Sequence, residues 1–227
     1  MSLLVDDINK IIYLTPHKCG HFTISTFIKR SQKNICDIGY YSETYTKTFL
    51  NEYIYYYKVL ILRDPYKRFI SGFLQDCLYN HNEYYKTIKK TFKEYCKFLL
   101  DNKNELTTHL VTQYSEINDI VELFECKFDK IINTEQIDDM LIEINNKYNL
   151  GVKIEKGNEK KYDNCKSNVD IINEMISNIA NGAQFPSYEY FYDEEIKNII
   201  KNIYEKDFEL LKKFKIHYND IFLENRL

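Results

Sequence analysis

Apolar and polar positions along this chain fall into blocks that switch between two periods. A short apolar run, Ile11-Ile12-Tyr13-Leu14, leads into a polar stretch, after which Ile24, Phe27 and Ile28 recur at i, i+3, i+4. The run reads as a buried strand and the recurrence as the inner stripe of a helix over residues 23–30. The arrangement returns at Tyr57-Lys58-Val59-Leu60-Ile61-Leu62, a second, nearly fully buried strand that stops at Arg63-Asp64-Pro65. Asp64 suits an N-cap and Pro65 the first helical position, so a helix starts there, with Ile70, Phe73, Leu74 and Cys77 as its apolar face. Strand–loop–helix units at this separation require parallel strands joined by right-handed crossovers. The pattern therefore predicts an α/β fold, three-layered, with a mostly parallel central sheet flanked by helices.

Further strands are expected at 33–38 and 128–133. Helices are expected at 84–100, 118–124, 137–148 and 171–179, with one long closing helix over 194–214. The stretches 153–166 and 181–187 are polar or carry Gly and Pro, and read as loops. No repeat or linker divides the chain, so a single domain over 1–227 is expected.

Composition narrows the function classes. The 227 residues include 21 Tyr and 14 Phe against only 6 Gly and 3 Pro, and 44% apolar with 29% charged residues marks a globular chain. A net charge of −3 disfavours an electrostatic nucleic-acid binder. No apolar run reaches the ~18 residues of a membrane span. Asp6 and Asp7 stand where a signal peptide would carry positive charge, so a cytoplasmic protein is expected. The six cysteines contain no C-x-x-C, which leaves neither a metal-site spacing nor a disulfide framework.

The chemistry concentrates in the two strand–helix loops. Such loops present backbone N–H groups and a positive helix end, and so favour anions. The first, Thr15-Pro16-His17-Lys18-Cys19-Gly20-His21-Phe22-Thr23, adds the Lys18 ammonium and the Thr23 hydroxyl, and Gly20 lets the backbone approach a phosphate. Its lysine precedes a single glycine, unlike the G-x-x-x-x-G-K-[ST] of a P-loop NTPase. In the second, Arg63 ends a buried strand, and Ser71 lies on the helix that follows with Arg68 at i−3. A planar guanidinium with a hydroxyl suits a second phosphate.

Together the loops resemble the PAPS-dependent sulfotransferase family. The first is similar to that family's 5′-phosphosulfate loop, although His17 stands where a Pro commonly precedes the lysine. The stretch KVLILRDPYKRFISGF resembles its 3′-phosphate strand and helix, with R-D-P-x-x-R-x-x-S present as Arg63, Asp64, Pro65, Arg68 and Ser71. Weaker likenesses follow along the chain: the HLVTQ stretch over 109–113, FDKIINTEQIDDML over 128–141, and a closing segment with Tyr204 and Asp207 as Tyr-x-x-Asp, all closest to Golgi-type carbohydrate sulfotransferases. The resemblance implies a P-loop-like fold and PAPS as co-substrate without a metal. It also implies a carbohydrate or other hydroxyl-bearing acceptor, or an amine.

Under that resemblance Lys18 stabilises the leaving oxygen, and Lys18, Cys19, Gly20, His21, Phe22 and Thr23 hold the 5′-phosphate. Arg63 and Ser71 hold the 3′-phosphate. An acceptor hydroxyl needs a base. Glu43 is placed first and His109 second, with Gln113 one turn away to orient it, while His17 and His21 are better placed to assist Lys18. A kinase-like nucleotide enzyme and a degenerate, binding-only fold are the alternatives.

Overall fold

The computed structural model describes residues 2–31, 53–80, 82–123, 127–154, 171–181 and 187–216. The expected strand at 33–38, the candidate base Glu43 and most of the two polar loops lie outside the described residues. The chain forms two compact units, each built from two stretches: Met1–Arg63 with Gln113–Glu159, and Asp64–Thr112 with Lys160–Leu227. Strands and helices are numbered below in chain order.

The first unit holds a four-stranded sheet in the order β1 (Ser2–Asp6), β2 (Ile11–Thr15), β3 (Tyr57–Leu62), β4 (Lys130–Asn133). The β2–β3 and β3–β4 pairs are parallel, with Leu14 opposite Leu60 and Leu60 opposite Ile131. The α/β class and the parallel core follow the expectation. β1 was not expected; it pairs antiparallel with β2 through a tight turn. Asp6 closes that turn by accepting hydrogen bonds from the Asn9 backbone N–H and side-chain amide, both 2.8 Å. Asp6 thus acts as a turn former.

One face of the sheet (Leu4, Ile11, Tyr13, Val59, Ile61, Ile132) packs against two helices of this unit. These are α1 (His21–Ser31), through Ile24, Phe27 and Ile28, and α6 (Ile137–Lys147), through Ile137, Met140, Leu141 and Ile144. The unit also contains α5 (Gln113–Leu123), which begins five residues before the expected 118.

The second unit is helical: α2 (Pro65–Gln75), a π-helical turn (Asp76–Asn80), α3 (Asn82–Thr87), α4 (Phe92–Asp101), α7 (Ile176–Ala180), α8 (Glu194–Ile203) and α9 (Glu205–Lys213). Asp64 caps α2 as the sequence demands, accepting from the N–H groups of Tyr66 (2.8 Å) and Lys67 (3.1 Å), with Pro65 next in line. Three expected helices are broken. That over 84–100 divides because Thr91 and Glu94 form a reciprocal capping box that starts α4 afresh. The closing helix divides at Tyr204, whose buried hydroxyl donates to the Leu110 carbonyl. Over 171–179 a 3₁₀ turn (Ile171–Asn173) precedes α7, and Met175 bridges to Thr91 between them.

Aromatic rings fill this unit's core. Phe73 meets Phe92 edge-on at 5.0 Å, and Phe92 meets Phe191 at 5.3 Å. In this unit Tyr85 and Tyr95 share a hydrogen bond at 2.9 Å, and Tyr192 donates to the Tyr66 carbonyl at 2.7 Å. Gly72 on α2 lies so near the chain that a Cβ there would stand 2.4 Å from the His109 carbonyl oxygen. Among the described residues no helix is long and apolar enough to cross a membrane.

Candidate functional site

In the first unit the ends of β2 and β3 lead into the residues singled out by sequence. After Thr15 the chain makes a four-residue turn, closed by the Cys19 N–H donating to the Pro16 carbonyl at 3.1 Å. Lys18 occupies its third position with φ +66°. That left-handed conformation is the one a type II turn asks of glycine, and it strains a lysine. Gly20 follows at φ +87°, where a Cβ would fall 2.2 Å from Ile137 Cδ1. Conformation favours glycine at position 20, and a larger residue there would also displace the end of the Ile137 side chain.

Helix α1 begins directly after Gly20, with the Ile24 N–H bonded to the Gly20 carbonyl at 3.2 Å. His21, Phe22 and Thr23 make its first turn, where a helix lacks internal acceptors for its N–H groups. Phe22 is 60% exposed. The turn, the glycine and the helix start form the strand–loop–helix junction that the sequence predicts.

Arg63 follows β3 and is half-buried. Its Nη1 donates to the Lys18 carbonyl at 2.9 Å, and its Nε is buried with no hydrogen-bond partner among the described residues. A buried donor left in that state is costly unless a ligand atom meets it.

Two side chains from the first turn of α5 complete the surroundings. Gln113 is fully buried and accepts from the Arg63 N–H at 2.7 Å while donating to the Arg63 carbonyl at 2.8 Å. The same Gln113 oxygen accepts from the Cys19 thiol at 3.1 Å. Glu116, three residues on, accepts from the His17 N–H at 3.0 Å and pairs with the His17 ring at Nδ1. His17 is thus held by a carboxylate within the loop that follows β2. Sequence reading had assigned Gln113 to orienting His109; the bonds to Arg63 and Cys19 give it a different task. Glu116 was missed altogether. The only sequence signal for it is its i+3 spacing from Gln113.

The second unit carries the remaining candidates. Ser71 is half-buried on α2. Arg68, considered with Ser71 for phosphate binding, is fully buried and donates to the Val111 carbonyl, which gives it a structural task. His109 Nδ1–H donates to Asp76 Oδ1 at 2.6 Å, and the Thr107 hydroxyl donates to Oδ2 of the same buried carboxylate. A carboxylate on Nδ1 fixes the tautomer and makes Nε2 the basic nitrogen.

Compared with models of known families, residues 1–215 match the sulfotransferase family. No curated protein and no solved structure matched the chain.

Proposed function

Because this chain belongs to the sulfotransferase family, matched across residues 1–215, we propose that it transfers a sulfuryl group from PAPS to a hydroxyl or amine acceptor, a carbohydrate foremost. The observation that carries the PAPS reading is the convergence of a strained Lys18 with an Arg63 whose Nε lacks a partner among the described residues. Bound PAPS supplies an activated sulfuryl group and leaves as adenosine 3′,5′-bisphosphate (PAP).

The chain's own part is to position and to neutralise charge. The backbone from Cys19 to Thr23, at the positive end of α1, suits the 5′-phosphate, and the Lys18 ammonium suits the oxygen on which charge grows. Arg63 and Ser71 are assigned to the 3′-phosphate on the R-D-P-x-x-R-x-x-S spacing. For the acceptor's proton, Glu43 and His109 remain the candidates, and the Asp76 carboxylate on Nδ1 supports His109 as a competent base.

Thermal shift with PAP, ATP·Mg²⁺ and AMP tests the donor. Stabilisation by PAP alone is expected; a shift with ATP·Mg²⁺ instead points to a kinase, and no shift with any to a binding-only fold. Turnover of labelled PAPS against glycans, phenols and peptides then identifies the acceptor.

A further inference from the structure

We infer that the first turn of α5 is a positioning clamp for the donor site, with Gln113 and Glu116 as positioning residues that make no contact with the donor themselves. The inference rests on the donor reading above and extends it to residues that no loop motif contains.

The geometry is specific. A helix places residues three apart on one face, so Gln113 and Glu116 project side by side. Gln113 grips both backbone groups of Arg63 and the thiol of Cys19, so one amide joins the end of β3 to the loop after β2. Glu116 grips His17 twice, through backbone and ring. Between His17 and Cys19 stands Lys18, in a left-handed conformation that lysine does not choose unaided. Strain of this kind persists only where the surroundings over-determine it. Here the residues on either side of Lys18 are fixed from α5, and its carbonyl is fixed by Arg63, which α5 also fixes.

Burial adds weight. Gln113 is fully buried and the Glu116 side chain is 6% exposed, so removing either partner leaves polar groups unsatisfied away from water. Three of the Gln113 contacts are to residues at least fifty positions away in the chain. A residue needed only to start a helix would not spend both ends of its amide on distant segments.

The test uses the full chain and the variants Gln113→Met and Glu116→Gln. Met keeps the volume and loses all three hydrogen bonds; Gln keeps an acceptor for the His17 N–H and loses the charge. Amide hydrogen exchange is read over residues 17–20 and 62–64, with β-strand residues 11–14 and 59–61 as the internal reference. In Gln113→Met, exchange at both loop segments is expected to quicken about tenfold while the reference stays parental. Parental exchange at the loops overturns the clamp. Should Gln113→Met fail to fold, Glu116→Gln decides the matter through residues 17–20 by the same criterion.

PAP titration supplies a second arm that a merely structural residue would not move. If Gln113 acts in part through Arg63, Gln113→Met weakens PAP binding by a smaller factor in the Arg63→Ala background than in the parent, since coupled residues do not add, and the Cys19 bond carries the remainder. Fully additive losses overturn the coupling. If the parent chain does not bind PAP, the donor reading fails by itself, and the exchange arm still decides whether α5 holds the loops.

Discussion

The Arg63 guanidinium donates to the main-chain carbonyl of Lys18 at 2.9 Å, joining residues 45 positions apart in the chain. The contact follows from topology. β2 and β3 are parallel neighbours with Leu14 opposite Leu60, so the segments just beyond their C-terminal ends emerge side by side. Such strand ends are where open α/β sheets place ligands. Arg63 therefore acts on the loop as well as on any anion it meets.

Replacing Arg63 by Ala is expected to weaken PAP binding by ~2–4 kcal/mol, the scale for truncating one partner of a buried charged contact. Because Lys18 loses an anchor at the same time, kcat should fall together with affinity. Calorimetric titration with PAP and steady-state turnover measure the two effects separately. Parental affinity in a folded Arg63→Ala protein removes Arg63 from the donor site.

Lys18 joins two opposed demands, charge for the reaction and a backbone conformation suited to glycine. Lys18→Ala and Lys18→Gly should both lose roughly 10²–10³-fold in kcat. Their stabilities should part: Gly relieves the left-handed strain, so its Tm should exceed that of the Ala variant by about 2–4 °C. Equal melting temperatures would show that position 18 stores no strain.

At Gly20 a methyl group meets Ile137 Cδ1 and a disallowed φ together. Gly20→Ala should cost ~1–3 kcal/mol in denaturant unfolding. Adding Ile137→Val removes the clashing carbon and should return part of that loss, leaving the conformational share. No recovery would place the whole effect in the backbone.

Acid stability should depend on Asp193. Burial raises its carboxyl pKa, but the Ile196 N–H and the Lys93 ammonium outweigh burial and hold it below its ordinary 3.8. A carboxylate with a depressed native pKa stabilises the fold above its unfolded value, and that stability is lost as pH falls through the lower native one. Tm should therefore decline below about pH 4, and less steeply in Asp193→Asn. At neutral pH the variant keeps a capping acceptor and should lose only about 0.5 kcal/mol, through the Lys93 ion pair and the negative charge at the start of α8. Identical acid limbs in the two proteins would discount the carboxylate.

The base is decided by pH–rate profiles of Glu43→Gln and His109→Gln at saturating PAPS. Loss of the acidic limb with PAP affinity retained identifies the residue responsible. Two parental profiles would exclude both.

What the sequence made legible is what local chemistry dictates. Asp64 and Pro65 announced the start of α2, and the runs Ile11–Leu14 and Val59–Leu62 announced parallel strands, because buried strands and helix caps leave short-range signatures. The Lys18 loop and Arg63 were legible for the same reason. The task of Gln113 and the presence of Glu116 were not: their partners lie 94, 50 and 99 residues away, and no spacing rule reaches so far. The break at Thr91 is written locally, as the T-x-x-E capping box of Thr91 and Glu94, but the apolar stripe continues in phase across it and masks it; the break at Tyr204 is revealed only by its tertiary bond to Leu110.

The missing side chain of Gly72 sets how near the 107–111 segment can come to α2. With hydrogen in place of a methyl, the His109 peptide rests almost on the helix backbone, and the imidazole ring reaches Asp76, one residue past the helix end. An alanine at 72 would act as a spacer, levering that peptide outward and lengthening the bridge between ring and carboxylate without touching either. The tautomer of one histidine thus hangs on an atom that is absent from a residue 37 positions earlier.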